Sequence, residues 1–358
     1  MTAASRVTLP GSHDTQVELF PSSATAGAMA LPLSFHPIFK ARVWGGRQIE
    51  EVLSRSLPGD GRFGESWEIS GLQEHVSLVE DGPHAGRTLT ELWNSHRREL
   101  CGKELPEDSF PLLFKWLDCH DWLSVQVHPD DQFAQKRLGQ PRGKSEAWII
   151  LRADSTARIY AGLKHGVTRE VLLRHISAGT VDQCLHSFTP RPGDCVSFPA
   201  GTVHAAGGGL LIAEVQQSSD TTFRLFDWNR SGPDGVSRPL HVDLALEAID
   251  WTQGPVSPSC PRSISSAPEG STGEVLVDSS QFVIERYTLS QTWNAPHAGL
   301  MTVWMVLAGQ VRLNQQDAQY ERDLATGQTV LVPAAAGTTT WTPSGQEGSA
   351  TLLCVHLP

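Results

Sequence analysis

The sequence predicts a mainly β protein made of two jelly-roll barrels, with a few helices inserted in or beside the first. Short runs in which apolar and polar residues alternate, as in residues 63–72, are typical of strands with one buried face. Glycine and proline close many of these runs, as tight turns between antiparallel strands require. The spacing glycine, five residues, proline at Gly193 and Pro199 recurs at Gly327 and Pro333. This echo favours a duplicated barrel.

The composition favours a reduced, cytosolic protein that does not bind nucleic acid. The 358 residues include 28 Lys and Arg against 39 Asp and Glu, a formal net charge of −11, so the surface repels a phosphate backbone. The six cysteines form no C-x-x-C pair, as is usual for intracellular proteins. No signal peptide or membrane-spanning apolar run is recognisable. We therefore expect a cytoplasmic protein without nucleic-acid or membrane partners, and the sequence indicates no oligomeric state.

The first part of the chain is expected to mix strands with short helices. Residues 1–33 lack hydrophobic periodicity and are predicted to be a poorly ordered extension. A strand is predicted at residues 63–72, and residues 111–118 are too apolar to lie at the surface. Helices are predicted at residues 88–100, 130–138, 168–176, 181–188 and 241–251.

A segment rich in Pro, Ser and Gly divides the chain at residues 251–280 and is predicted to be a linker. Strand patterns resume after it and continue to the C-terminus. The expected organisation is therefore an extension at 1–33, a first barrel with helical insertions at 34–250, the linker, and a second, degenerate barrel at 281–358.

A candidate metal site centres on a histidine that follows the first glycine–proline pair. Gly193, Pro199, Gly201 and His204 are spaced as glycine, five residues, proline, one residue, glycine, two residues, histidine, which is a sequence signature of cupin barrels. A strand followed by a tight turn directs His204 into the barrel. Thr340 takes the corresponding place in the second half, so we expect the second barrel to have lost its metal.

Three more ligand-type residues precede this histidine. Gln126 and His128 are two apart in an alternating segment, so both side chains point to one face of a strand. Glu146 begins another apolar strand. With His204 they supply two nitrogen and two oxygen donors. A set without cysteine suits an open catalytic metal site better than a closed structural zinc site.

Charged residues near these ligands extend the candidate site. Lys144 precedes Glu146 by two residues and shares its strand face, and Arg224 lies in a segment that contains Asp220. Lys115 interrupts an apolar run, where burial is costly unless the amine reaches a pocket or an acid. A Lewis-acidic metal beside such cations suits proton abstraction next to a carbonyl, with electrostatic stabilisation of the enediolate.

Five ordered motifs resemble the type I mannose-6-phosphate isomerases, or phosphomannose isomerases, of the cupin superfamily, particularly their short bacterial form. The motifs read F-P-L-L-F-K-W-L-D, L-S-V-Q-V-H-P-D-D, G-K-S-E-A-W, P-A-G-T-V-H-A and Q-Q-S-S-D-T-T-F-R-L-F-D-W-N-R. The resemblance is strong over residues 34–230 and weak beyond. It implies a zinc enzyme, with one ion per chain, that interconverts mannose 6-phosphate and fructose 6-phosphate through a cis-enediol.

The resemblance also implies roles for individual residues. The zinc ligands would be Gln126, His128, Glu146 and His204; the reaction centre would hold Arg224, Asp220, Glu214 and Lys144; and Ser124 and Lys115 would lie near the phosphate or the metal. Glu65 and Trp44 are further candidates for substrate binding. For Glu65 the alternative is an internal hydrogen-bond acceptor, and for Trp44 it is a core position.

Two departures from the family pattern leave the proton-transferring base open. Gly143 stands where many relatives have a histidine, so a base role for that histidine cannot be carried over. The glycine-rich loop between His204 and Glu214 is one residue longer than in fungal-type relatives, which affects where Glu214 lies. The base is therefore one of Glu214, Asp220 and Lys144.

Other interpretations are open for the whole chain and for two of its residues. A sugar-sensing cupin without catalysis would lack the metal site or the nearby cations, and an iron-dependent cupin oxygenase would favour histidine over Gln126. Arg224 keeps its charge at neutral pH and is expected to stabilise the enediolate. A surface ion pair is the alternative for Asp220 and Arg224.

Overall fold

A computed structural model of the chain describes residues 28–358 except 104, 106, 107, 233, 234, 266, 316–318 and 347. The described residues form a mainly β protein, as predicted. Residues 1–27 of the predicted extension lie outside the described part. Its last residues are ordered, in contrast to the prediction: Met29 and Leu33 are buried, and Leu33 pairs with Leu331 of the second barrel.

The N-terminal barrel consists of two antiparallel sheets that face each other. Its strands are β1 (Ile38–Gly46), β2 (Phe63–Ser70), β3 (Leu112–Cys119), β4 (Val125–Val127), β5 (Glu146–Ala153), β6 (Arg158–Leu163), β7 (Leu185–Phe188), β8 (Cys195–Phe198), β9 (His204–Gly207), β10 (Leu210–Gln217) and β11 (Phe223–Phe226). One sheet has the order β1-β2-β3-β10-β5-β8 and the other β11-β4-β9-β6-β7. Trp148 and Ile150 of the first sheet pack with Ile159 and Ala206 of the second.

The helices are short and confirm most of the helical predictions. They are α1 (Gln48–Glu51), α2 (Leu89–Cys101), α3 (Asp131–Phe133, continued by a π-helical turn at Ala134–Leu138), α4 (Arg169–Ala178) and α5 (Val242–Ala248). Thr88 and Glu91 form a reciprocal capping box at the start of α2, which explains why this helix was predictable. No helix in the described part of the chain is long and apolar enough to cross a membrane.

The helix predicted at residues 181–188 is wrong. Val181–Cys184 form a 3-10 turn, and Leu185–Phe188 form β7, which pairs with β6 at the edge of the five-stranded sheet. The free edge of β6 offers backbone hydrogen bonds that the local sequence pattern does not reveal, and this pairing overrides the weak helical periodicity.

The C-terminal barrel is built around one long, bent strand. Its strands are β12 (Arg262–Ser263), β13 (Thr272–Asp278), β14 (Val283–Leu289), β15 (Trp293–Asn294), β16 (Thr302–Gln315), β17 (Tyr320–Ala325), β18 (Thr329–Val332), β19 (Thr340–Pro343) and β20 (Ala350–His356). The first half of β16 pairs with β18 and β20, and its second half pairs with β17 and β19. The predicted linker at 251–280 therefore contributes two strands, β12 and β13, to the C-terminal sheet.

The two barrels repeat one strand register. In the first, β10 pairs Glu214 with Lys115 of β3 and with Trp148 of β5. In the second, β20 pairs Cys354 with Glu285 of β14 and with Trp304 of β16. The glycines of the echoed motif also correspond, since φ is 91° at Gly193 and 89° at Gly327. These matches support the duplication inferred from the sequence.

A continuous apolar core joins the two barrels. Phe114 and Trp93 of the first half belong to the same buried cluster as Ile284, Met305 and Leu353 of the second. The barrels therefore share buried surface.

Candidate functional site

The four predicted metal ligands converge between the two sheets of the first barrel. Gln126 lies on β4 opposite His204 of β9, and His128 follows β4 directly. Glu146 begins β5 in the facing sheet. The strand phase thus turns all four side chains inward, as predicted.

The ligand atoms of these residues lie close together. His204 Nε2 is 3.1 Å from Glu146 Oε1, and His128 Nε2 is 3.4 Å from Glu146 Oε2. Gln126 Nε2 is 3.3 Å from His204 Nε2, and a half-turn of the amide brings its oxygen to the same place. The ligand atoms of His128, Glu146 and His204 lie within 4.8 Å of one another, and all three residues are buried.

Backbone contacts hold both imidazoles in an orientation suited to metal binding. His128 Nδ1 lies 2.9 Å from the carbonyl oxygen of Thr221, and His204 Nδ1 lies 2.9 Å from that of Thr202. If each Nδ1 carries the proton and donates it to the carbonyl, the lone pair of Nε2 points into the cluster and can bind a cation. Lys144 Nζ lies 3.2 Å from Nε2 of His128, so a positive group already faces this lone pair. Burial and the neighbouring Lys144 lower the pKa of His128 to about 3, so its ring is neutral at neutral pH.

Glu146 gives the strongest sign that a cation fits here. Both of its carboxylate oxygens are buried and accept no well-aligned hydrogen bond in the described part of the chain, although Lys144 Nζ is 2.8 Å from Oε2. Burial opposes ionisation, but Lys144 and His128 hold the pKa of Glu146 well below its ordinary value. An ionised carboxylate with unused lone pairs, facing two imidazole nitrogens, fits a divalent metal.

A cavity of about 490 Å³ adjoins this cluster and collects the other predicted residues. Gln126 belongs to both the cluster and the cavity wall. The predicted catalytic and substrate-binding residues that line the cavity are Trp44, Glu65, Lys115, Ser124, Lys144, Glu214, Asp220 and Arg224.

A buried lysine connects two carboxylates in the cavity wall. Lys115 Nζ is 3.0 Å from Glu214 Oε2 and 3.9 Å from Glu65 Oε2. Burial opposes its charge, but Glu214 and Glu65 raise the pKa of Lys115. Lys115 thus reaches both a pocket and acids, as its position in an apolar run predicted.

Glu65 is an internal hydrogen-bond acceptor as well as part of the cavity wall. It accepts hydrogen bonds from Arg42 Nε at 2.6 Å and from Trp67 Nε1 at 2.5 Å. Burial alone would raise its pKa, but Lys115 and Arg42 outweigh burial and lower the pKa to about 2. Trp44 is 5 % exposed, so it is both a core residue and a wall residue.

The longer glycine loop does not displace Glu214 from the cavity. Gly208 and Gly209 turn the chain with positive φ values of 81° and 90°, which only glycine adopts readily. Glu214 then faces Lys115 and accepts a hydrogen bond of 2.8 Å from Trp148 Nε1.

Arg224 and Asp220 do not form the alternative surface pair within the described residues. Arg224 Nε donates to Ser124 Oγ at 3.2 Å, and its Nη1 donates to the carbonyl oxygen of Pro239 at 2.9 Å. Asp220 is an exposed residue at the cavity.

Two arginines of the cavity wall escaped prediction. Arg42 lies on β1 and binds Glu65, while Arg238 lies outside the strands and binds Asp227, with Nη2 2.6 Å from Oδ1. The alternation that includes Trp44 carries a signal for Arg42, since the two residues share a strand face. No local pattern marks Arg238.

The backbone explains the glycine that departs from the family pattern. A Cβ atom at Gly143 would lie 2.3 Å from the carbonyl oxygen of Pro129 and 2.4 Å from the carbonyl carbon of Asp130. The same Pro129 oxygen accepts a hydrogen bond from Lys144 N at 2.9 Å. A histidine at this position would require the backbone beside His128 to move.

Comparisons with known proteins find similar sequences over most of the chain. Residues 33–167 match the family model for the catalytic domain of type I phosphomannose isomerase. The chain is 35% identical to a mannose-6-phosphate isomerase of Streptococcus mutans, with 85% of this chain and 93% of that protein covered. It is also 35% identical to the mannose-6-phosphate isomerase ManA of Bacillus subtilis, with 86% and 94% covered.

A solved structure extends the similarity to both barrels. The crystal structure of the mannose 6-phosphate isomerase from Bacillus subtilis superimposes with a TM-score of 0.83 at 29% sequence identity. The match covers 91% of this chain and 99% of that one.

Proposed function

The chain belongs to the type I phosphomannose isomerase family and is an isomerase, and from this premise we propose that it interconverts mannose 6-phosphate and fructose 6-phosphate through a cis-enediolate, with one zinc ion. The zinc ligands in this proposal are Gln126, His128, Glu146 and His204. The observation that carries it is the buried carboxylate of Glu146, which faces two imidazoles beside a cavity lined by cations.

The donor set supports zinc and an open coordination position. Imidazole nitrogens with a carboxylate and an amide oxygen, without thiolate, are typical of catalytic rather than structural zinc sites. A bound ion would act as a Lewis acid toward the oxygens of the substrate. Lys144, at 2.8 Å from Glu146, adds a second positive charge at this end of the cavity.

In this proposal Arg224 stabilises negative charge on the reacting oxygens. Its guanidinium is held by the hydroxyl of Ser124 and by the carbonyl of Pro239, so its position is fixed before substrate binds. Ser124 lies two residues from Gln126 on the same strand face, which puts Arg224 near the ligand cluster. Preorganised charge of this kind stabilises an enediolate more than it stabilises the sugar.

The reaction needs one group that moves a proton between adjacent carbons. It removes the proton from C2 of the aldose and returns it to C1, while the hydroxyl proton on O2 passes to O1. Glu214, Asp220 and Lys144 all face the cavity, and we propose that the base is one of these three. The wall residues Ser124 and Lys115 complete the proposed substrate site near the phosphate or the metal.

Chelator sensitivity tests the metal-dependent proposal directly. We expect the purified protein to contain one zinc per first-barrel site, to turn over mannose 6-phosphate, and to lose activity when treated with a strong chelator. Activity should return on adding zinc. Elemental analysis and a coupled assay for fructose 6-phosphate measure both quantities.

The His204→Ala variant tests the assignment of the zinc ligands, which chelator sensitivity alone does not test. We expect this variant to lose first-barrel zinc and turnover together, because it removes one of two imidazoles. Turnover that persists in His204→Ala, or in chelated wild-type protein, would contradict the ligand assignment. The comparisons give no support to a non-catalytic sugar-binding cupin or to an iron-dependent oxygenase.

A further inference from the structure

A second group of ligand-type side chains lies in the C-terminal barrel. A carboxylate oxygen of Glu285, a ring nitrogen of His297 and the Sγ of Cys354 all lie within 4.8 Å of one another. His297 Nε2 is 2.5 Å from Glu285 Oε2. Glu285 and Cys354 are buried, and the side chain of His297 is 16% exposed, which leaves a path from solvent.

The strand register shows what these positions do in the other half of the molecule. Glu285 and Cys354 face each other across β14 and β20 as Lys115 and Glu214 do across β3 and β10. In the first barrel this pair of positions holds a lysine–carboxylate ion pair that borders the cavity. In the second barrel the lysine is replaced by an acid and the acid by a thiol, so the positive charge has gone and two groups that can bear negative charge remain.

A divalent cation would restore the charge balance at these positions. An ionised Glu285 and a Cys354 thiolate together neutralise a charge of +2, and neutral His297 adds no charge. The surroundings are apolar, with Trp293 and Trp304 in the same buried cluster as Cys354, where a net charge would be costly. On binding, the thiol forms a metal–sulfur bond and releases its proton to solvent.

The donor atoms select the kind of metal. One oxygen, one nitrogen and one sulfur suit zinc or a similar transition metal and disfavour magnesium and calcium, which prefer oxygen ligands. Tyr287 Oη donates to Glu285 Oε2 at 3.0 Å and orients the carboxylate. The ring of His356 packs beside that of His297, with 4.7 Å between the ring centroids.

We propose that the second barrel binds a divalent transition metal, preferably zinc, through Glu285, His297 and Cys354. The ion would fasten the loop that carries His297, between β15 and β16, to strands β14 and β20. This site is at different positions from Thr340, whose place in the repeat corresponds to the first-barrel histidine. It does not depend on the isomerase reaction.

Cobalt titration tests this site without interference from the first barrel. The first-barrel donors contain no sulfur, so a thiolate-to-cobalt charge-transfer band in the near ultraviolet reports on a cysteine ligand alone. We expect metal-free wild-type protein to develop this band on titration with Co²⁺. Cys354→Ser should abolish the band, and His297→Gln should weaken cobalt binding by at least about tenfold.

Control variants distinguish specific metal binding at Cys354 from non-specific binding elsewhere. Cys260→Ser changes a cysteine that is exposed and should keep the full band. Elemental analysis after zinc loading should give two equivalents for wild-type protein and for Cys260→Ser, and one for Cys354→Ser, with isomerase activity unchanged. A wild-type protein without the charge-transfer band, or a band that survives in Cys354→Ser, would overturn the proposal. Should Cys354→Ser fail to fold, the wild-type band and His297→Gln decide the question.

Discussion

At the scale of single residues, the charge of the cavity depends on Lys115. It lies between Glu214 and Glu65 with almost no exposure to solvent, so removing it would leave two buried carboxylates without a cation. Arg42 forms a second ion pair with Glu65, through Glu65 Oε1. This arrangement fixes the wall against which the proposed substrate would lie.

The role of Arg224 can be tested by removing its guanidinium. We expect Arg224→Ala to keep its metal and to lose kcat by about 100-fold or more, because the proposed contact is made chiefly with the enediolate. Steady-state kinetics and metal analysis measure this. Arg137→Ala, at an exposed pair with Glu247, is the matched control. An unchanged kcat with a raised KM would make Arg224 a binding residue instead.

Asp118 provides a prediction for the pH dependence of stability. Burial raises its pKa from 3.8 to about 6, although hydrogen bonds from Gln48 act in the opposite direction. Because the folded state favours the protonated carboxyl, the stabilising contribution is present below about pH 4 and is lost as pH rises through 6.

The Asp118→Asn substitution should remove the loss of stability that accompanies ionisation of Asp118. The amide keeps an acceptor for Gln48 N and can donate to Gln48 Oε1, which is buried without a hydrogen bond in the described residues. Relative to wild type, we expect a gain of about 1–3 kcal/mol in the free energy of unfolding near pH 7 that shrinks toward pH 4. Urea unfolding across this range measures the gain, and parallel pH profiles would contradict it.

The sequence predicts the inward-facing ligands because strand alternation is local. Gln126 and His128 could be assigned to one strand face from spacing alone, and Glu146 to the start of another strand. Arg238 could not, since it reaches the cavity from an irregular segment whose path depends on contacts far away in the chain. The ionic partners of Glu65, Arg42 and Lys115, were equally out of reach, because they come from neighbouring strands.

At the scale of elements, the connection between β4 and β5 holds two proposed ligands in place. Gly143 N donates to Asp131 Oδ1 at 2.7 Å, and Lys144 N donates to the carbonyl of Pro129 at 2.9 Å. These bonds tie the residue after His128 to the residues before Glu146. The absence of a side chain at Gly143 allows the two backbone segments to touch.

Gly143→Ala should therefore disturb both stability and metal binding. The added Cβ would meet the Pro129 carbonyl at 2.3 Å, and we expect a loss of about 1–3 kcal/mol in unfolding free energy together with weaker metal binding. Gly61→Ala is the control, because its nearest neighbour would be a Phe63 ring carbon at 3.9 Å. Chemical unfolding and competition with a chelator measure the two effects, and equal behaviour of the variants would refute this account.

Element prediction succeeded where caps and periodicity agreed. The α2 helix has both, whereas residues 181–188 become a turn and an edge strand because β6 provides hydrogen-bond partners. The strand β13 was hidden by the Pro- and Ser-rich residues before it. Its pairing with β14 is a tertiary property that composition does not encode.

At the scale of the whole molecule, the two barrels are joined through Gly327. Its carbonyl oxygen accepts hydrogen bonds from Trp116 Nε1 at 3.0 Å and from Arg55 Nη2 at 2.8 Å. Both donors belong to the first half. With the shared apolar core, this contact predicts that the barrels unfold together in one transition.

Gly327→Ala tests this coupling against a matched position in the repeat. A Cβ at Gly327 would lie 2.6 Å from Leu53 Cβ, whereas at Gly193, with nearly the same φ, the nearest atom would be Arg286 Nη1 at 3.5 Å. Both alanines carry the cost of positive φ, so the difference isolates the clash of the added Cβ with Leu53. We expect Gly327→Ala to cost about 1–3 kcal/mol more than Gly193→Ala. Thermal unfolding followed by circular dichroism and tryptophan fluorescence measures this, and equal costs or two separate transitions would count against it.

The repeated register has a consequence for how the duplicated interiors are used. Trp304 occupies the position of Trp148, but its ring packs at a tilt against that of Trp341, with 4.6 Å between the centroids. The ring of Trp148 instead meets that of His204 edge-on at 5.3 Å. The first barrel keeps an open cavity beside its tryptophan, whereas two indole rings pack together at the corresponding place in the second barrel. Truncating Trp341 would open a cavity in the second barrel, and protein engineers can adapt that cavity to a new ligand.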